Sequence, residues 1–265
     1  MAEKPSDKTW QLWIGFSDVH IPYHDKKAWK LLIKFIKEIQ PDGVVCLGDL
    51  LDFYQLSKFT KKLSQRRPVA NDIFDANILL DELDEALPKK VHDRKRGKIY
   101  CMGNHEARLE RFIDERADAL EGLVDLPIEL NLAARGYELV KYGEYARLGR
   151  LHLVHDLGWY GKYALFHSQA AINGNLVMGH THRQQTIVVG SARGKDRVAA
   201  SFGWLGDVNQ IQYGHRLRQR SEWTHGFGAI LYNRRTGDCH VTPIPVVNGA
   251  CTYGGQVISI GGSDD

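Results

Sequence analysis

The chain has 265 residues, with 35 basic against 32 acidic side chains, 43% hydrophobic and 25% charged residues. That length and composition allow a sizeable core without disulfide or metal staples, fit one large α/β domain or two small ones, and exclude fibrous, collagen-like and mainly disordered classes. No apolar run approaches the roughly 18 residues that cross a bilayer, and a net charge of +3 neither demands nor excludes a polyanionic partner.

The segment 1–8 is polar and carries no apolar signal region. Trp10 to Ser17 reads as a strand, followed by a loop to His24 and a helix from Asp25 to Gln40. Ala28, Leu32, Phe35, Ile36 and Ile39 hold helical spacing, Asp25 is positioned to cap the helix, and Pro41 with Gly43 ends it. Gly43 to Leu47 fits a buried parallel strand, which completes a βαβ unit. Lys98 to Met102 is the next strand. Between them an amphipathic helix is predicted over Asn71–Leu87, flanked by two basic clusters: Lys58, Lys61, Lys62, Arg66 and Arg67, then Lys89, Lys90, Arg94, Lys95, Arg96 and Lys98. Helical stretches are expected after Arg108, around Ile128–Arg135 and over Lys162–Ile172. From Tyr137 the texture is otherwise β, ending with strands over Gly228–Tyr232 and Cys239–Ile244. The expected organisation is a single domain over 1–250, with 53–98 a charged helical insert, and a loose Gly-rich tail over 251–265. Cys46, Cys101, Cys239 and Cys251 are far apart with no CxxC, so reduced thiols and a cytoplasmic protein with no membrane contact are expected.

Five polar segments each follow a predicted strand: Asp18-Val19-His20, Gly48-Asp49-Leu50-Leu51-Asp52, Gly103-Asn104-His105-Glu106, His155, and Gly179-His180-Thr181-His182. Open α/β sheets place their sites just past the C-terminal ends of strands. Carboxylate, imidazole and amide oxygen suit Mn²⁺, Fe²⁺, Zn²⁺, Co²⁺ or Ni²⁺. Seven such groups exceed what one catalytic ion with an open position takes, and fit two ions sharing a carboxylate. Two ions roughly 3.5–4 Å apart are a standard device for phosphoryl chemistry.

Taken in order from Asp18 to His182, the set resembles the calcineurin-like metallophosphoesterases. The resemblance implies a four-layer α/β/β/α sandwich, with two mixed sheets flanked by helices. It implies that Asp18, His20 and His182 hold one divalent ion, that Asn104, His155 and His180 hold the other, and that Asp49 bridges. Mn²⁺ is the expected ion, with Fe, Zn, Ni or Co as alternatives. It also implies that His105 is an acid for the leaving oxygen, oriented by Asp52, and that a metal-bridging hydroxide attacks phosphorus.

Two departures from the family pattern matter. Many phosphomonoesterases of the family, including Ser/Thr protein phosphatases, continue the second motif as GDxxDRG, whereas here Phe53 and Tyr54 follow Asp52. The phosphate-gripping arginine is missing, which favours phosphodiesters; Arg108 could partly replace it. His155 is followed by Asp156 where Gly is usual, and His152 is a rival ligand, although it falls mid-strand on the opposite face. Further substrate contacts are expected from His24 and Arg183. The basic clusters, with Phe53, Tyr54 and Phe59 as stacking groups, make nucleic acid a candidate partner. Trp204, Tyr213 and Trp223 are read as core or dimer packing, and oligomeric state is open. The expected function is a dinuclear metal-dependent phosphoester hydrolase, a phosphodiesterase directed at nucleic acid or cyclic nucleotides. The alternatives are a phosphomonoesterase (protein or nucleotide phosphatase) and a non-catalytic scaffold of the same fold.

Overall fold

The computed structural model describes residues 9–57, 67–192, 194–211 and 222–261. Lys58, Phe59, Lys61, Lys62, Arg66 and Tyr213, and the segment 1–8, lie outside the described residues. The first elements are β1 (Trp10–Phe16), α1 (Lys26–Ile39), β2 (Gly43–Cys46), α2 (Val69–Ala86), α3 (Lys89–His92), β3 (Lys98–Cys101) and α4 (Ala107–Arg116). Then come α5 (Leu126–Glu129), β4 (Tyr137–Val140), β5 (Ala146–Leu148), β6 (Leu151–Val154), α6 (Ala164–Ile172) and β7 (Asn175–Met178). The last are β8 (Gln184–Val189), β9 (Arg197–Phe202), β10 (Gly226–Asn233), β11 (Cys239–Pro245), β12 (Ala250–Tyr253) and β13 (Gln256–Ser259).

Two mixed sheets form, in the orders β11-β10-β1-β2-β3-β4 and β5-β6-β7-β9-β8. Strand alternation then assigns the layers. Leu12, Ile14 and Phe16 of β1, with Val44 and Cys46 of β2, face a core shared with α1 and α2. Trp13, Val45, Ile99 and Ile230 face Leu151, Leu153, Val177, Ala200 and Phe202 of the second sheet. That sheet's outer face, through Leu176, Met178 and Ala199, packs on Leu165 of α6. The result is helix, sheet, sheet, helix, the four-layer arrangement expected above. The two sheets approach closely around Phe202: a Cβ on Gly228 would lie 2.2 Å from its ring, so a side chain there cannot fit without displacing it.

Helix α1 begins where Asp25 accepts from the backbone N–H groups of Lys27 and Ala28. Helix α2 sends Ile73, Ala76, Leu80 and Leu83 into the same core as α1, and the Trp29 indole of α1 donates to Glu82 of α2 at 2.8 Å.

Three local readings differ from the sequence expectation. The helix expected over 128–135 is a single turn at Leu126–Glu129, started by Asp125 and followed by turns. The segment 250–259 is not loose. Strands β12 and β13 pair as an antiparallel hairpin through residue 259, and Cys251 and Ile258 are buried in the core beside α1. The basic cluster at 89–98 is largely spent on ion pairs. Lys90 and Arg94 sit on Asp42, Arg96 on Glu138, and the buried Lys98 reaches Asp84 at 2.5 Å. Among the described residues no helix is long and apolar enough to cross a membrane.

Candidate metal centre

Every polar segment singled out in the sequence emerges at the same edge of the two sheets. Strands β1, β2 and β3 run parallel in one sheet and β6 and β7 run parallel in the other, so their C-terminal loops meet. The loops are tightly bent: Asp18, His20, Asp49, His180 and His182 all have φ between 52° and 67°. L-residues rarely occupy this left-handed region, and such strain concentrates where a site over-determines the backbone. The loops also touch. A Cβ on Gly103 would lie 2.1 Å from Asp49 Oδ1, so only glycine lets the third segment pass the second.

Three clusters of ligand atoms result among the described residues; one of them, His20, Asp52 and His105, surrounds the Asp52 carboxylate, and the other two hold the expected ligands. In the first of these two, His182 Nε2 lies 3.2 Å from Asp18 Oδ1 and 3.0 Å from His20 Nε2. In the second, His155 Nε2 lies 3.3 Å from Asp49 Oδ2 and 3.1 Å from Asn104 Oδ1, and His180 completes the group. Asp18, His20, Asp49 and His155 are fully buried, whereas Asn104 and His180 are half-buried and mark the open side.

The hydrogen bonds on the far side of each ring decide what the near side offers. His155 Nδ1 faces the carbonyl oxygen of Leu47 at 2.7 Å, which can only accept, so Nδ1 carries a proton and Nε2 is the atom turned to the centre. There it converges with an amide oxygen and a carboxylate. His20 Nδ1 faces Asp52 Oδ2 at 3.1 Å, so its Nε2 is the atom turned toward His182 Nε2 and the Asp18 carboxylate. Imidazole nitrogens, carboxylates and an amide oxygen converging in two buried groups are a donor set that fits a divalent ion. Burial disfavours the charged form of His155, yet Asp49 outweighs it and lifts the pKa to about 10, so without a cation Nε2 holds a proton that metal binding would displace. Burial pushes His182 down to about 4 against the pull of Asp18, leaving its ring neutral and available to a metal.

Asp52 is a hub. Its carboxylate lies nearest His20 and is 3.5 Å from His105 Nδ1, while its carbonyl oxygen accepts from His105 Nδ1 at 2.8 Å and from Arg108 Nη1 at 2.9 Å. Burial raises the Asp52 pKa, but His105 and His20 outweigh this and hold the carboxyl well below the usual carboxylate range. With Nδ1 fixed, His105 turns Nε2 toward the centre, 3.7 Å from Asp49 Oδ2.

The other predicted contacts are placed less directly. Arg108 lies on the rim through its bond to Asp52. Arg183 is buried and committed: Nη1 donates to the Thr181 carbonyl at 2.8 Å and Nη2 pairs with Glu222. His24 is half-buried beside α2; burial lowers its pKa first, then Lys26, with Asp75 and Glu82 opposing. His152 lies away from the centre, between the Asn175 carbonyl at 3.0 Å and the Arg147 guanidinium at 3.2 Å.

Glu106 carries a role that the sequence did not announce. Fully buried, it accepts from the backbone N–H groups of Asp49 (2.9 Å), Leu51 (3.0 Å) and Gly103 (2.8 Å) and from the Tyr100 hydroxyl (3.2 Å). It thereby ties the second segment to the third. The only sequence signal was its place directly after Asn104-His105. Trp204 and Trp223 also border the centre, the former stacked on His182 at 5.0 Å and the latter 4.2 Å from the same ring.

The sequence profile of the calcineurin-like phosphoesterases matches residues 14–231. Gene 54 protein of Mycobacterium phage D29 is 25% identical over 271 residues, covering 92% of this chain and 97% of that protein. Among solved structures, Vacuolar Protein Sorting 29 from Cryptosporidium parvum aligns with a TM-score of 0.44 at 15% identity, over 88% of this chain and 96% of that one. Yfce, described as a phosphoesterase from E. coli, aligns with a TM-score of 0.41 at 16% identity, over 87% and 98%.

Proposed function

The chain belongs to the calcineurin-like phosphoesterase family and is a metal-dependent phosphoesterase; on that premise we propose that it hydrolyses phosphodiesters at a two-ion centre. Asp18, His20 and His182 hold one ion, Asn104, His155 and His180 the other, and Asp49 bridges them, with Mn²⁺ the preferred metal. The observation that carries this reading is the convergence of histidine Nε2 atoms with carboxylate and amide oxygens in two buried clusters. Divalent ions bound there would supply positive charge for the phosphate oxygens and would lower the pKa of an attacking water.

The protein's own groups do the rest. Asp52 holds the His20 Nδ1 proton, which fixes the tautomer that a ligand needs. The Asp52 carbonyl accepts from His105 Nδ1, which aims Nε2 at the centre, where it would give a proton to the leaving oxygen. Arg108, held on the same carbonyl, steadies a non-bridging oxygen. The diester preference rests on charge. The position after Asp52 holds Phe53, fully buried, and Arg183 is neutralised by Glu222. A monoanionic diester asks for less positive charge than a dianionic monoester.

The test is hydrolysis of bis-p-nitrophenyl phosphate against p-nitrophenyl phosphate, with Mn²⁺ or chelator. Faster diester cleavage that chelator abolishes is expected. Faster monoester cleavage would overturn the diester preference and leave a phosphomonoesterase.

A further inference from the structure

We propose that the cavity beside His180 and His182 is a nucleobase subsite, so that the diester taken by this centre is a nucleotidyl one. The inference rests on the diesterase reading above and names its substrate class. The cavity, about 250 Å³, is lined by Tyr160, His180, His182, Arg183 and Trp223. Two proposed metal ligands form part of its wall, so an occupant abuts the reacting phosphate. Its volume falls below the roughly 300–1,000 Å³ of sites for drug-sized ligands, and suits one planar ring system.

The lining chemistry selects the occupant. Arg183 is nine-tenths buried, with Nη1 on the Thr181 carbonyl and Nη2 paired with Glu222, so its charge is compensated. Such a group is a poor clamp for a second phosphate, and the stacking surfaces of the cavity are Tyr160 and Trp223. Tyr160, on the cavity wall, is 85% accessible, so its ring contributes little to the core, whereas Trp159 and Phe166 of the same segment pack on His167. An exposed ring at the mouth of a cavity is how proteins hold unpaired bases, because every base has a π-face. A phosphotyrosine ring would also fit the space, but its dianionic phosphate meets the charge shortage described above.

The experiment compares thymidine 5′- and 3′-(p-nitrophenyl phosphate) with methyl p-nitrophenyl phosphate, using the Mn²⁺-loaded full chain. All three release the same phenolate, so the ratio of kcat/KM reports the nucleoside, and Tyr160→Ala assigns its share to the base. A preference of about tenfold or more for one thymidine ester is expected. Tyr160→Ala should bring that ratio down toward one, and Tyr145→Ala, an exposed ring beside His152, should leave it unchanged. Binding supplies a second readout: thymidine monophosphate should bind more tightly than ribose 5-phosphate, and Tyr160→Ala should abolish the difference. A wild-type ratio near one with equal binding of the two phosphates would overturn the proposal, as would a ratio that survives Tyr160→Ala. Preferential cleavage of a phosphotyrosine peptide would overturn it in favour of a protein substrate. Failure to cleave methyl p-nitrophenyl phosphate while p-nitrophenyl phosphate is cleaved would sink the diesterase reading instead, and the binding comparison would still judge the cavity.

Discussion

Replacing Glu106 by Gln separates the architecture of the centre from its metal. Each carboxylate oxygen of Glu106 accepts two hydrogen bonds: Oε2 from the Asp49 and Gly103 N–H groups, and Oε1 from the Leu51 N–H and the Tyr100 hydroxyl. Glutamine keeps the shape but turns one oxygen into an NH₂, which faces donors. Two charge-assisted bonds are lost, each worth about 1.5–3 kcal/mol, and at least one buried backbone N–H is orphaned. Relief from burying a carboxylate near Asp49 offsets part of this, as the raised pKa of Glu106, caused first by burial and next by Asp49, indicates. The net expectation is a loss of about 3 kcal/mol, a large share of an ordinary folding free energy. The assay is urea denaturation followed by circular dichroism, in chelator so that metal linkage does not contribute. A loss below about 1 kcal/mol would refute the claim that Glu106 fastens the two loops together.

Three further expectations follow from other parts of the molecule. His105→Ala should lower kcat by about 10²- to 10⁴-fold with metal content unchanged; a parallel loss of metal would make His105 a ligand or a structural group rather than an acid. Asp72, on the first turn of α2, has its carboxyl raised to about 6, first by burial and against the pull of Gln55 and Arg67. Because this folded pKa exceeds the ordinary value of 3.8, the folded state holds the extra proton between about pH 4 and 6. The group's contribution therefore falls as pH rises through that window. Discounted for solvent screening, Asp72→Asn should gain about 1–2 kcal/mol on wild type between pH 4.5 and 7.5; denaturation curves whose separation does not change with pH would contradict this. Gly228→Ala should cost about 3 kcal/mol by driving a methyl into the Phe202 ring 2.2 Å away, and Phe202→Leu should recover part of the loss in the double mutant. Additive losses would show that the contact is not the cause.

The two sheets and the site loops were legible because their signals are local. Short apolar runs ending in Asp, Asn or His identify strand ends, and a parallel sheet brings such ends to one edge whatever lies between. Interactions that join distant positions were not legible. Arg183 reads as a free cation until Glu222, 39 positions on, takes its charge. The basic run at 89–98 reads as a nucleic-acid track until Asp42, Glu138 and Asp84 neutralise much of it. Glu106 works through backbone N–H groups, which have no residue identity to read. The hairpin of β12 and β13 was read as loose because of its glycines, yet Gly254 and Gly255 both have positive φ, as a type I′ turn between two strands requires. In that case a local signal was present and was assigned to flexibility rather than to the turn.

The central claim is that two ions are held by seven side chains with Asp49 between them. Metal analysis of purified protein reconstituted with Mn²⁺ and freed of excess tests it directly, run on wild type, His155→Ala and His152→Ala. Two ions per chain are expected in wild type and in His152→Ala, falling to one or fewer in His155→Ala. One ion in wild type, or two retained in His155→Ala, would contradict the account.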